Sequence, residues 1–142
     1  NMAQISPKAY AFKGAHRPFV CLANLGDERG EPSAHHNVVV SCSPAFLRRA
    51  GEIAADLFGD LALLEPVSGV KPPVVALNWP FSGGYILKRY TTSVPGIMVE
   101  INRGLFVGNQ GTDTPIAPPN GNAIAAIRLR LFQWLTAILA EL

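Results

Sequence analysis

Hydrophobic and polar positions alternate with helical spacing in two stretches of this chain. After Ser43 and Pro44 come Phe46, Leu47, Ala50, Ile53, Ala54, Leu57 and Phe58, spaced three and four apart, which predicts a helix over Ser43–Phe58. Ser43 is placed to cap it, Pro44 suits the first helical position, and Gly59 supplies a stop. A second helix is predicted over Asn122–Leu142, where Ile124, Ile127, Leu131, Trp134, Leu135, Ile138 and Leu142 form a broad apolar stripe. Asn120 or Asn122 is its candidate cap.

Shorter apolar runs predict strands near Phe19–Leu22, at Val74–Leu77 and at Ile97–Ile101, and Val38–Val40 reads as a strand extension or an irregular loop. On the Ile97–Asn102 segment, Met98, Glu100 and Asn102 share one face and Ile97, Val99 and Ile101 the other. The second face suits a sheet covered by helices. Tyr85–Tyr90 fits a strand or a short helix, and period alone does not decide. Asn24–Pro32, Glu65–Pro73 and Asn109–Gly121 carry the Gly, Pro and Asn punctuation of turns and loops. The outcome is an α/β class with a small sheet and packed helices.

Length bounds the domain count. The 142 residues suit one domain with a real core. Met2 reads as the native start, so Asn1 stays outside the fold argument and the domain is taken as residues 3–142. Hydrophobic residues make up 49% and charged residues 15%, so either the core is large or an apolar face is hidden against a partner. A net charge of +2, with basic pairs scattered along the chain, gives no footprint for nucleic acid but leaves room for a small anionic substrate. No apolar run reaches the roughly 18 residues that cross a bilayer. Cys21 and Cys42 allow a single disulfide, but nothing in their context points to secretion, so they read as reduced, mostly buried thiols and a cytoplasmic setting is expected.

Candidate chemistry centres on Glu100. A carboxylate among apolar neighbours acquires a raised pKa suited to a general acid or base, unless it is simply paired with Arg103 or Arg89. Arg103 can hold an anion in its planar fork or serve as a structural partner of Glu100. Gly83-Gly84 permits a tight turn or a close backbone approach to a ligand, and matches no phosphate loop. Tyr85, Lys88, Arg89 and Tyr90 are candidates to line a polar cleft just beyond it. His16, His35 and His36 have no recognised ligand spacing. Cys42, just ahead of a helix, is placed where a thiolate is stabilised and a Cys–His pair is conceivable.

The segments LNWPFSGGYILKRY and IMVEINRGLFV, with CLANLGDERG and SCSPAF ahead of them, resemble the N-formylglutamate amidohydrolase family in its C-terminal half. The first looks like the family's Asn-x-Pro-Phe-x-Gly-Gly-Tyr-Ile segment, the second like its Gln-x-Glu-Ile-Asn-Arg-x-Leu-Tyr segment. They occur in the family's order and cover most of the chain. The resemblance implies a partial zinc-carboxypeptidase-like layer, of the phosphorylase/hydrolase-like kind. It also implies metal-dependent hydrolysis of an N-formyl or N-acyl amino acid. Glu100 is then the catalytic carboxylate, while Asn78, Gly83, Gly84, Tyr85 and Arg103 frame the substrate. The family's His-Ser-Gly, His-Ser and Asp-x-Asn-Arg segments have no counterpart here, Phe106 stands for its Tyr and Met98 for its Gln, and Glu31–Val40 looks inserted. The expectation is therefore no metal in the isolated chain, and zinc only if another chain completes the site. The chain is an excised half, a truncated relative, or one half of a two-chain enzyme. The alternative function is a non-catalytic binding or oligomerisation module, as a homo-oligomer or with a complementing chain.

Overall fold

The computed structural model describes residues 16–33, 39–66, 68–91, 93–107 and 120–141. His35 and His36, Val38 and most of the predicted Asn109–Gly121 loop lie outside the described residues. Three strands form one mixed sheet in the order β2-β1-β3: β1 (Val20–Ala23), β2 (Val75–Leu77) and β3 (Met98–Ile101). β1 runs parallel to β2, with Cys21 beside Ala76, and antiparallel to β3, with Cys21 opposite Glu100.

The pleat sorts the sheet into two faces. Val20 and Leu22 of β1, with Val75, Leu77, Val99 and Ile101 of the outer strands, enter the hydrophobic core. Cys21, Ala76 and Glu100 share the opposite face. The expected sidedness of Glu100 against Val99 and Ile101 is thus what the strand adopts.

Helices α1 (Pro44–Phe58) and α3 (Gly121–Leu139) pack on each other and supply the other half of the core. α1 begins as expected, with the Ser43 hydroxyl accepting from the Phe46 N–H at 3.2 Å and Pro44 in the first turn. Its end differs from the usual left-handed glycine stop. Gly59 sits at φ −66°, and a glycine is needed because a Cβ there would lie 2.7 Å from the Ala55 carbonyl oxygen. Asn120, rather than Asn122, caps α3, its side-chain oxygen accepting from the Ala123 N–H at 3.0 Å. Trp134 anchors α3 to α1 by donating its indole N–H to the Ala50 carbonyl at 2.8 Å. Arg130 reaches across to the Leu57 carbonyl and to Asp60.

Tyr85–Tyr90 resolves as a short helix, α2, with only Leu87 buried. Val39, in the segment read as a strand extension or a loop, is irregular and 87% exposed. Among the described residues no helix is long and apolar enough to cross a membrane. Phe58, the last residue of α1, is 1% exposed and belongs to the core. Phe58→Ala should therefore lower stability by about 3–5 kcal/mol, read from the urea unfolding midpoint; a loss under about 1 kcal/mol would mean the core is not packed this way.

Candidate functional site

β1 is held at both ends by buried asparagines, and these fix everything around the polar face. At its N-terminal end Asn102, 0% exposed, donates its amide to the Arg17 and Pro18 carbonyls, each at 3.1 Å, and its backbone N–H to the Phe19 carbonyl. Its side-chain oxygen accepts from the Gly104 N–H at 2.9 Å and so caps the 3₁₀ turn Arg103–Leu105. One amide, two residues beyond Glu100, thereby sets both the end of β3 and the direction in which Arg103 leaves it.

At the other end Asn24 and Asn78 bond reciprocally. Asn78 donates its amide to Asn24 Oδ1 at 2.9 Å and to the Asp27 carbonyl at 2.6 Å, and its own oxygen accepts the Asn24 backbone N–H at 2.9 Å. Asn24 in turn donates to the Gly30 and Cys42 carbonyls and accepts from the Gly26 N–H. Asn78 holds a left-handed backbone at φ 52°, a conformation asparagine tolerates better than most residues. The amide of Asn78 is thus committed to the chain's own loops. It positions the Asp27 turn and the segment leaving β2.

That segment crosses the polar face of the sheet. The Cys21 thiol donates to the Phe81 carbonyl at 3.3 Å, and the Arg17 guanidinium lies 4.9 Å from the centre of the Phe81 ring. Burial pushes the Cys21 thiol up from its usual 9.0 to about 11, with the Glu100 charge adding to the rise. The Phe81 and Trp79 backbone and the Arg17 charge act in the opposite direction. Glu100 and Arg17 therefore both act on one thiol at the middle of the sheet. Glu100 itself is half-buried.

Gly83 and Gly84 play different parts. Gly83 has φ 119°, and a Cβ on it would lie 2.7 Å from Leu25 Cδ2 and 2.8 Å from Leu87 Cδ1. Its absence of a side chain lets the loop close over Leu25, whose N–H donates to the Ser82 carbonyl at 2.7 Å. Gly84 starts α2 with open space around it, and Tyr85, Lys88, Arg89 and Tyr90 point outward, Tyr85 being 75% exposed. The structure thus joins Glu100 to the Trp79–Gly83 loop through Cys21, and holds Arg103 by the Asn102 cap.

Arg17 and Asn24 escaped the sequence reading. Arg17 is 3% exposed yet sits in a segment without periodicity, and Asn24 reads as an ordinary turn residue until its partners arrive from distant parts of the chain. His16 is half-buried before β1, and its Nδ1 has no hydrogen-bond partner among the described residues. Both cysteines are free and buried. Burial pushes the Cys42 thiol up to about 11 as well, which opposes the expected stabilised thiolate. Among the described residues no group of three His, Cys, Asp or Glu side chains could hold a metal ion, so these residues do not fit a complete zinc site.

Comparison with protein-family models, with curated proteins and with solved structures finds no match to this chain.

The amide pair predicts a ranked effect. Asn78→Ala should cost about 2 kcal/mol, because it leaves the buried Asn24 backbone N–H without its partner and removes one of the two bonds to Asn24 Oδ1. Asn78→Gly should cost about 1 kcal/mol less by relieving the left-handed backbone. Equal losses in urea unfolding would show that the backbone conformation contributes nothing. The thiols predict a pH effect. Both titrate higher in the folded chain than in the unfolded one, so their contribution is complete below about 9 and drains away as pH rises through about 11. Unfolding at pH values across that window should show falling stability, with a shallower fall in the Cys21→Ala, Cys42→Ala double variant; parallel curves would refute the assignment.

Proposed function

We propose that this chain carries the carboxylate half of an N-acyl amino acid hydrolase site of the N-formylglutamate amidohydrolase type, on a partial carboxypeptidase-like layer. The observation that carries this reading is the placement of Glu100: mid-strand, opposite Cys21, on the sheet face turned away from α1 and α3, with the Arg17 charge acting on the same thiol. In this reading Glu100 takes a proton from the attacking water. It returns that proton to the amine nitrogen as the carbon–nitrogen bond breaks. Arg103 binds a carboxylate of the substrate in this reading, and the Gly83–Tyr85 backbone is its second substrate-facing element. Asn78 acts as a positioning residue, since its amide is bound to Asn24 and Asp27. The described residues offer no metal ligand set, so the zinc that this family uses to polarise the substrate requires ligands from another chain.

A second reading, a truncated relative that works as a non-catalytic binding or oligomerisation module, is favoured by one specific observation. The outer side of α3 leaves Phe132 68% and Leu139 65% exposed.

The first reading is tested by calorimetric titration of N-formylglutamate into the chain and by deformylation assays with zinc, alone and with the product of the neighbouring gene. Arg103→Ala should weaken binding by about tenfold or more, the equivalent of one lost charge-assisted pair. Glu100→Gln should keep binding and lose any hydrolysis seen with the second chain. Folded wild-type protein that neither binds the substrate nor turns it over in either condition would sink this reading.

A further inference from the structure

Among the described residues Arg17 is the one charged side chain that is buried. A guanidinium withdrawn from water is costly unless an anion meets it. The Phe81 ring lies 4.9 Å away, but a ring offers only its quadrupole and no full charge. Two chains of contact lead from Arg17 to Glu100. Asn102, two residues beyond Glu100 and on its face of β3 by alternation, donates its amide to the Arg17 carbonyl at 3.1 Å. Glu100 also stands opposite Cys21, whose thiol donates to the carbonyl of the same Phe81 that Arg17 lies against. The Cys21 thiol senses both charges, raised by Glu100 and lowered by Arg17. Elimination points the same way. Among the described residues every carboxylate except Glu100 is exposed, and Glu31, Glu52, Asp60 and Glu141 already bond arginines of the helices.

We propose that Arg17 is the counter-charge of Glu100, an ion pair beside Cys21 that fixes the carboxylate on the polar face beneath the Phe81 loop. This assigns the role to Arg17 in place of Arg103 and Arg89, the partners expected from the sequence. Arg89 is exposed on α2, and Arg103 follows Asn102 into the 3₁₀ turn, out of the pleat that sets Glu100 beside Cys21. The pair stands on the chain alone. Its use in chemistry rests on the hydrolase reading above, in which Arg17 is a positioning residue. There its planar fork sets the plane of the carboxylate oxygens, and so the direction in which Glu100 takes and returns a proton. Lysine, a point charge on a flexible stem, carries the charge without that plane.

Nitrogen NMR of the whole chain, labelled at arginine and assigned with Arg17→Lys, tests the pair at neutral pH. A carboxylate that grips the fork stops the guanidinium from rotating. The terminal nitrogens of Arg17 should therefore give separate signals in the wild type and merge in Glu100→Gln. Merged Arg17 signals in the wild type, or separate ones that persist in Glu100→Gln, would overturn the pair. Urea unfolding adds a double-mutant cycle. Arg17→Met should lower the folding equilibrium constant at least about tenfold more in the wild type than in the Glu100→Gln background. Losses equal within about twofold would refute the coupling, and a larger coupling of Glu100 to Arg103→Met would hand the role to Arg103. Should Arg17→Met not fold, the wild-type spectrum still decides. Titration with N-formylglutamate separates the two ideas. A paired wild type that binds none of it sinks the hydrolase reading and leaves the pair; binding with merged Arg17 signals does the reverse.

Discussion

The reciprocal amide pair of Asn24 and Asn78 is the contact on which the polar side of this fold depends. It joins the end of β1 to the end of β2, and through Asn24 it also holds the Gly30 and Cys42 carbonyls and so the approach to α1. Amide bonds of this kind are strong where water is excluded and costly when half made. Their arrangement therefore admits one geometry for several loops at once. The left-handed backbones at Leu25, Asn78 and Gly83 are tolerated inside that network, where the neighbouring bonds over-determine them.

One sheet then does two kinds of work. Its helix-facing side buries Val20 and Leu22 completely and stabilises by area removed from water. Its other side carries a carboxylate, an arginine and a thiol close together beneath the Phe81 loop. The thiol is held protonated by its surroundings at neutral pH and serves as a hydrogen-bond donor in the packing. Asn102 links the two sides, because the amide that closes the N-terminal end of β1 also starts the turn bearing Arg103.

Local signals were legible where the structure is made locally. Ser43 with Pro44 marked the start of α1, and the three strands lie where short apolar runs stand between turn residues. The face of Glu100 followed from alternation alone. Tyr85–Tyr90 stayed open because six residues satisfy either period, and the helix there begins at Gly84 without a side-chain cap. The double apolar character of α3 was visible as a broad stripe, but its division into a buried seam and an exposed one depends on where α1 sits. Asn78 was singled out, yet its bonding to Asn24 could not be read, since that contact joins segments separated by the whole of α1. Arg17 gave no signal, being placed by the Asn102 amide and the Phe81 ring from far along the chain.

The position of β1 has a consequence for how the chain comes into being. Of the three described strands, the one at the centre of the sheet is made first, and the residues that pair with it, Val75–Leu77 and Met98–Ile101, emerge from the ribosome much later. α1 can coil as soon as it is made, since its cap and contacts along the helix are local. Val20–Ala23 must wait with both edges bare until Val75–Leu77 is made, just past mid-chain, and with one edge bare until Met98–Ile101 follows, and loop closure over such separations is slow. The nascent polypeptide is thus exposed to misassociation at the very segment that ends as its most deeply buried strand.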